Sequence, residues 1–150
     1  MDAIDKQILE FLQSDAKLTA KEMAEKLSLT PTPVYERIKK LERSGIIQKY
    51  VALLDAEKAN KGLTVFLNIT IKEHQIEHRQ KFVQEISNLK DIVELYHTSG
   101  SYDFLAKVRF SNIKEYRNFL VNEITAIKNI GDIDSQIVLE EIKYSTIVQV

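Results

Sequence analysis

The 150-residue chain contains no cysteine. That removes disulfides, thiol nucleophiles and thiolate metal sites together, and it fits a reducing compartment. No apolar run approaches the length of a membrane-spanning helix, and Met1-Asp2 leads into an amphipathic pattern rather than a secretory leader. The expected location is therefore cytoplasmic, with no membrane partner. A nucleotide-binding glycine loop and a locally supported Ser-His-Asp set are also missing, so no catalytic residue and no cofactor is expected. Charge imbalance is slight, with a net charge of −1 at pH 7, which by itself argues weakly against nucleic acid as a partner. What remains is an ordinary globular composition, 29% charged and 44% hydrophobic, long enough for one large domain or two small ones.

Proline is scarce, and its placement is informative. The only two, Pro31 and Pro33, lie in one stretch. Proline is tolerated only in the first turn of a helix, so a helix begins between Thr30 and Thr32 with a threonine hydroxyl available as cap. Gly45 ends it, as the residue that accepts positive φ past a helix C-terminus. Val34, Ile38 and Leu41 form its apolar stripe. The opposite face gathers Thr32, Glu36, Lys39, Lys40 and Arg43, with Arg37 at the flank, Thr30 at the start and Tyr35 suited to packing or contact. Cations beside short hydrogen-bonding groups suit a helix in a DNA major groove: Lys and Arg reach phosphates and guanine edges, and Thr and Glu read bases. Between Thr30 and Tyr50, Arg37, Lys39, Lys40, Arg43 and Lys49 outweigh Glu36 and Glu42. The positive charge is local, and a dimer would double its contacts.

The elements before it support a helix-turn-helix. Asp2 caps a first helix over Ala3–Leu12 with Ile4, Ile8, Phe11 and Leu12 on one face. Thr19 and Glu22 match a capping box, and Leu18 with Met23 a hydrophobic staple, for a second helix ending near Leu27. Ile46–Leu54 reads as a short wing strand, and the polar segment 55–62, ending in Gly62, as a linker. Beyond it the hydrophobic period changes to two. Val65, Leu67, Ile69 and Ile71 alternate with Phe66, Asn68, Thr70 and Lys72, helices are expected over His78–Leu89 and Ile113–Ile127, and strands over Ile92–Thr98, Tyr102–Phe110 and Ile133–Val148. The order βαββαβ is that of a ferredoxin-like domain. The fold class is thus α+β: a winged helix-turn-helix over 1–54 and a ferredoxin-like domain over 63–150. With both helices on one sheet face, Phe66, Tyr96, Leu105 and Val138 are left on the other, an apolar surface expected to self-associate.

These residues resemble a known family. Ile4-Asp-x-x-Ile-Leu, the run from Leu27 through Thr30-Pro-Thr-Pro-Val to Gly45-x-Ile, Thr98-Ser-Gly-Ser-Tyr-Asp103 and Val138-Leu-Glu-Glu-Ile-Lys143 are similar to motifs of the leucine-responsive/asparagine-activator (Lrp/AsnC) regulators. The resemblance implies a transcriptional regulator that binds double-stranded DNA, dimerises through its sheets, assembles to an octamer and takes an amino acid between dimers, with 63–150 as its ligand-sensing and oligomerisation domain. It points to Thr98, Gly100, Ser101, Tyr102 and Asp103 as effector-binding, with Gln136 on the last strand as a further candidate. Ser101 stands where many members carry an acidic residue. Asp103 is the informative member, since a carboxylate can hold an amino acid's ammonium; the plain alternative is an ordinary hairpin turn.

Two other groupings carry less. His74 and His78 have a spacing that can hold zinc on a helix, but they straddle a helix start with no third ligand, so no metal site is expected. Glu140-Glu141 would point to opposite faces of a strand and cannot act as a dyad. The competing readings are an amino-acid-binding oligomer without DNA and a small ferredoxin-like enzyme.

Overall fold

Asp2 and Asp5 start α1 (Ala3–Ser14) reciprocally: each carboxylate accepts the other residue's backbone N–H at 3.0 Å. Thr19 and Glu22 start α2 (Ala20–Leu27) in the same way. Ser28, left-handed at φ 55°, turns the chain into α3 (Pro31–Arg43), and Gly45 at φ +76° leaves it. Thr30 occupies the cap position of α3 as expected, yet its hydroxyl makes no cap bond. The third helical position is Pro33, which has no N–H to offer. Ile8, Met23 and Val34 are fully buried, with Leu9, Ala24 and Leu41 around them, as the core that joins the three helices.

The computed structural model describes all 150 residues and resolves them into two units, 1–53 together with 143–150, and 54–142. Two expectations fail in the first unit. Ile46–Leu54 forms no strand; Val51, Leu53 and Leu54 are exposed and find no neighbouring strand edge within the chain. The expected last strand to Val148 also stops early. Lys143–Val150 belongs to the first unit instead, where Gln13 donates to the Val148 carbonyl at 3.0 Å and accepts the Val148 N–H at 2.7 Å. Val150 packs against the helix-turn-helix core.

The second unit is one antiparallel sheet with helices on one face. Its elements are β1 (Leu63–Ile71), α4 (Ile76–Ser87), β2 (Ile92–His97), β3 (Phe104–Phe110), α5 (Ile113–Phe119) and β4 (Ile130–Ile137), with sheet order β2-β3-β1-β4. This is the ferredoxin-like arrangement. Val65, Leu67 and Ile69 of β1 and Phe104, Ala106, Val108 and Phe110 of β3 face the helices and are buried with Phe82, Ile86 and Tyr116. After Phe119, α5 widens into a π-helical turn, Leu120–Ile124. That turn lets Phe119 and Ile124, five positions apart, both enter the core. Gly131 faces Thr70 so closely that a Cβ there would lie 2.6 Å from the threonine Oγ1, beside a register shift between Ile69 and Ile71.

The opposite sheet face is less apolar than expected. Phe66, Leu105 and Val138 are half-buried on it and Tyr96 is exposed. Between them Lys107 pairs with Glu94 at 3.1 Å, Arg109 with Glu141 at 3.4 Å, and Asn68 bonds Asp134 at 3.3 Å. Glu140 and Glu141 are not on a strand.

Candidate nucleic-acid interface and effector region

The wheel of α3 is as the proline and glycine positions imply. Val34 and Leu41 are buried, Ile38 is partly so, and Thr32, Tyr35, Glu36, Lys40 and Arg43 are exposed on the other side. Thr30 is exposed at the helix start. The side chains of Thr32, Glu36, Lys40 and Arg43 make no polar contact within the chain, so their donors and acceptors are free for a partner. Lys39 is half-occupied, donating to Glu42 at 2.8 Å and lying 5.6 Å from the Tyr35 ring.

Arg37, at the flank of this face, has partners within the chain. It donates at 2.7 Å to both Asp2 and Asp5, tying α3 to the capping box of α1. This contact orients α3 against α1, and any phosphate that Arg37 meets must compete with the two carboxylates. Asp2 is held below the usual carboxylate range first by the Asp5 N–H and then by Arg37. For Asp5 the Asp2 N–H lowers the value, partial burial opposes it, and Arg37 lowers it further. Carboxylates depressed in the folded state add stability that is complete above the unfolded value of about 3.9 and is lost as pH falls through the lower folded values. Acid unfolding of the parent is therefore expected to set in below about pH 4. Arg37→Gln should make the thermal midpoint fall less steeply from pH 5 to pH 3, without abolishing the slope, because the backbone donors remain. An unchanged slope would show that the arginine contributes nothing to the clamp.

Thr98, Gly100, Ser101, Tyr102 and Asp103 come together in the β2–β3 connection. The Thr98 N–H donates to the Asp103 carbonyl at 2.9 Å and its hydroxyl to the Tyr102 carbonyl at 3.1 Å. Gly100, at φ +114°, is exposed with nothing near a would-be Cβ. Asp103 is engaged on both main chain and side chain. Its N–H donates to the Ile69 carbonyl at 3.0 Å, and its Oδ2 accepts the Ile71 N–H at 2.8 Å. Its other oxygen lies 3.5 Å from His74 Nδ1. Gln136 sits elsewhere, outward on β4 opposite Phe66 and bonded to Asp134 at 3.4 Å, so a single chain does not bring it to the loop. His78 lies against Glu73; neither histidine belongs to a cluster of metal-ligating side chains. A cleft of about 220 Å³ opens beside α4, with Lys72, His78, Lys81 and Lys128 on its walls, and includes none of the loop residues.

Sequence reasoning missed the local Lys39–Glu42 pair, three positions apart on α3, and Tyr50, whose bond to Glu42 depends on how the chain folds back after Gly45. It also missed the staple between Asp103 and Ile71, which spans strands far apart in sequence and leaves no local signal.

Residues 1–48 match the model described as winged helix-turn-helix DNA-binding, and residues 64–148 the Lrp/AsnC ligand binding domain. The chain belongs to the Lrp/AsnC family. As a member it is a DNA-binding transcriptional regulator with an effector-binding domain. It is 35% identical over 146 residues to the DNA-binding transcriptional activator DecR of Escherichia coli, covering 97% of this chain and 96% of DecR. The crystal structure of an AsnC family transcriptional regulator from Agrobacterium tumefaciens superposes with a TM-score of 0.94 at 38% identity, over 99% of this chain and 96% of that one. A Neisseria meningitidis transcriptional regulator, solved as an L-Met complex, gives 0.92 at 30% identity, over 97% and 94%. In Lrp/AsnC terms, α3 is the second helix of the helix-turn-helix and the Thr98–Asp103 loop lies within the ligand-binding domain.

Proposed function

We propose that this regulator contacts duplex DNA through Thr32, Glu36, Lys39, Lys40 and Arg43 and responds to a free amino acid held at the Thr98–Asp103 loop. The observation that carries the DNA assignment is the free polar face of α3 set against a buried Val34–Leu41 stripe. Support for the ligand class comes from the relative solved with L-Met. A dimer would present two such helices to major grooves roughly 34 Å apart. The half-buried Phe66, Leu105 and Val138 support assembly through the sheet face, in a dimer or an octamer. The protein works in the cytoplasm, as a binding protein and not an enzyme. Effector occupancy and DNA binding are then linked through assembly, each biasing the other.

The test is fluorescence anisotropy on a duplex selected from a random pool. Arg43→Ala and Lys40→Ala should each weaken binding and reduce the salt slope by about one. Thr32→Ala and Glu36→Ala should alter which duplexes are preferred. Unchanged affinity and preference in all four would overturn the assignment of α3. Thermal shift against the free amino acids, read with assembly mass, identifies the effector. A ligand at about 100 times its Kd should add about 2.7 kcal/mol of stability.

A further inference from the structure

On one flank of α3, three residues form a short polar chain. Lys39 Nζ donates to Glu42 Oε2 at 2.8 Å, and the Tyr50 hydroxyl donates to Glu42 Oε1 at 3.1 Å. Both carboxylate oxygens are thus occupied. The glutamate side chain is 28% exposed and the lysine 43%. Glu42 lies in the last turn of α3, where the macrodipole disfavours a carboxylate and its pair with Lys39 three positions back only offsets that cost. Its carboxyl is nevertheless held below the usual range, by the Lys39 bond first and also by Tyr50.

We propose that Glu42 is a built-in competitor for DNA phosphate, occupying Lys39 in the DNA-free protein. A carboxylate bonded to an ammonium reproduces the contact that a phosphate oxygen would make, so backbone binding must break one to make the other. Tyr50, which follows the helix-turn-helix in the chain, fixes the carboxylate where it can do this. Glu42 acts through Lys39 and need not touch DNA. The proposal rests on the reading of α3 as the DNA-contacting helix.

The experiment compares the parent, Glu42→Gln, Lys39→Gln and the double variant, each shown by circular dichroism to be folded. Binding to a mixed-sequence duplex of about 30 base pairs is followed over a salt series. Glu42→Gln should bind about tenfold more tightly per chain near 50 mM salt, with a slope steeper by about one and a gain that fades towards high salt. Lys39→Gln should bind more weakly with a flatter slope, and the double variant should match it, because the competitor has nothing left to mask. Tyr50→Phe, which removes one bond but no charge, should shift affinity in the same direction as Glu42→Gln by less. An equal gain from Glu42→Gln in both backgrounds would show a general charge effect and overturn the proposal. So would no gain in a parent whose Lys39→Gln variant is weakened. If Lys39→Gln changes nothing, the DNA assignment of this flank fails and the proposal fails with it.

Discussion

Phe82→Ala is expected to lower the stability of the ligand-binding domain by about 3–5 kcal/mol, the range for removing a buried aromatic side chain and leaving a cavity. The ring has no exposed surface and is the largest fully buried side chain. It packs 4.8 Å from Phe104, which in turn lies 5.1 Å from His97. Phe104 directly follows Asp103, so the loss reaches the loop proposed to hold the effector. Against a total of about 5–15 kcal/mol this is a large fraction, and urea unfolding at neutral pH would show it. Phe82→Leu should recover most of the loss by refilling the volume. A loss under about 1 kcal/mol would mean that the site collapses around the truncated side chain.

The second large effect concerns Asp103. Its Oδ2 takes the Ile71 N–H at the end of β1, so Asp103→Ala removes a charged acceptor and leaves that N–H unserved. The expected loss is about 1–3 kcal/mol, with the loop and the end of β1 loosened together. Asp103→Asn keeps an oxygen for the Ile71 N–H and should preserve the fold and the basal DNA binding. The two variants therefore separate the staple from the charge. If the carboxylate also meets an amino acid's ammonium, Asp103→Asn should respond weakly or not at all when the effector is titrated into the DNA complex. A response equal to the parent's would leave Asp103 with the structural role alone.

Much of this fold can be read locally because its signals are local. The Asp2–Asp5 and Thr19–Glu22 caps, the two prolines and Gly45 each act within one turn of chain, and they delimit three helices. Alternation along Val65–Ile71 and Phe104–Phe110 is likewise local, and one register then orders the sheet. Features that depend on distant partners were hidden. Arg37 belongs by helical spacing to the flank of a DNA-facing helix, yet the aspartates that hold it lie a whole helix-turn-helix away. The π-helical turn, which lets Ile124 enter the core five positions after Phe119, has no local signal either. Ile46–Leu54 has the composition of a strand, but a strand needs an edge to pair with, and a single chain supplies none there. The loop was legible as a cluster, whereas the engagement of Asp103 with β1 was not, because the pairing crosses sheet topology rather than sequence.

The segment Lys143–Val150 also bears on synthesis. Its Val148 main chain is bracketed by Gln13 and Val150 joins the core around Ile8. A chain emerging from the ribosome exposes α1, α2 and α3 first, but the groups that complete their packing leave the exit tunnel only after the whole of 54–142. The helix-turn-helix core, although first to emerge, is therefore completed only at the end of synthesis, just after β4 completes the sheet of the ligand-binding domain.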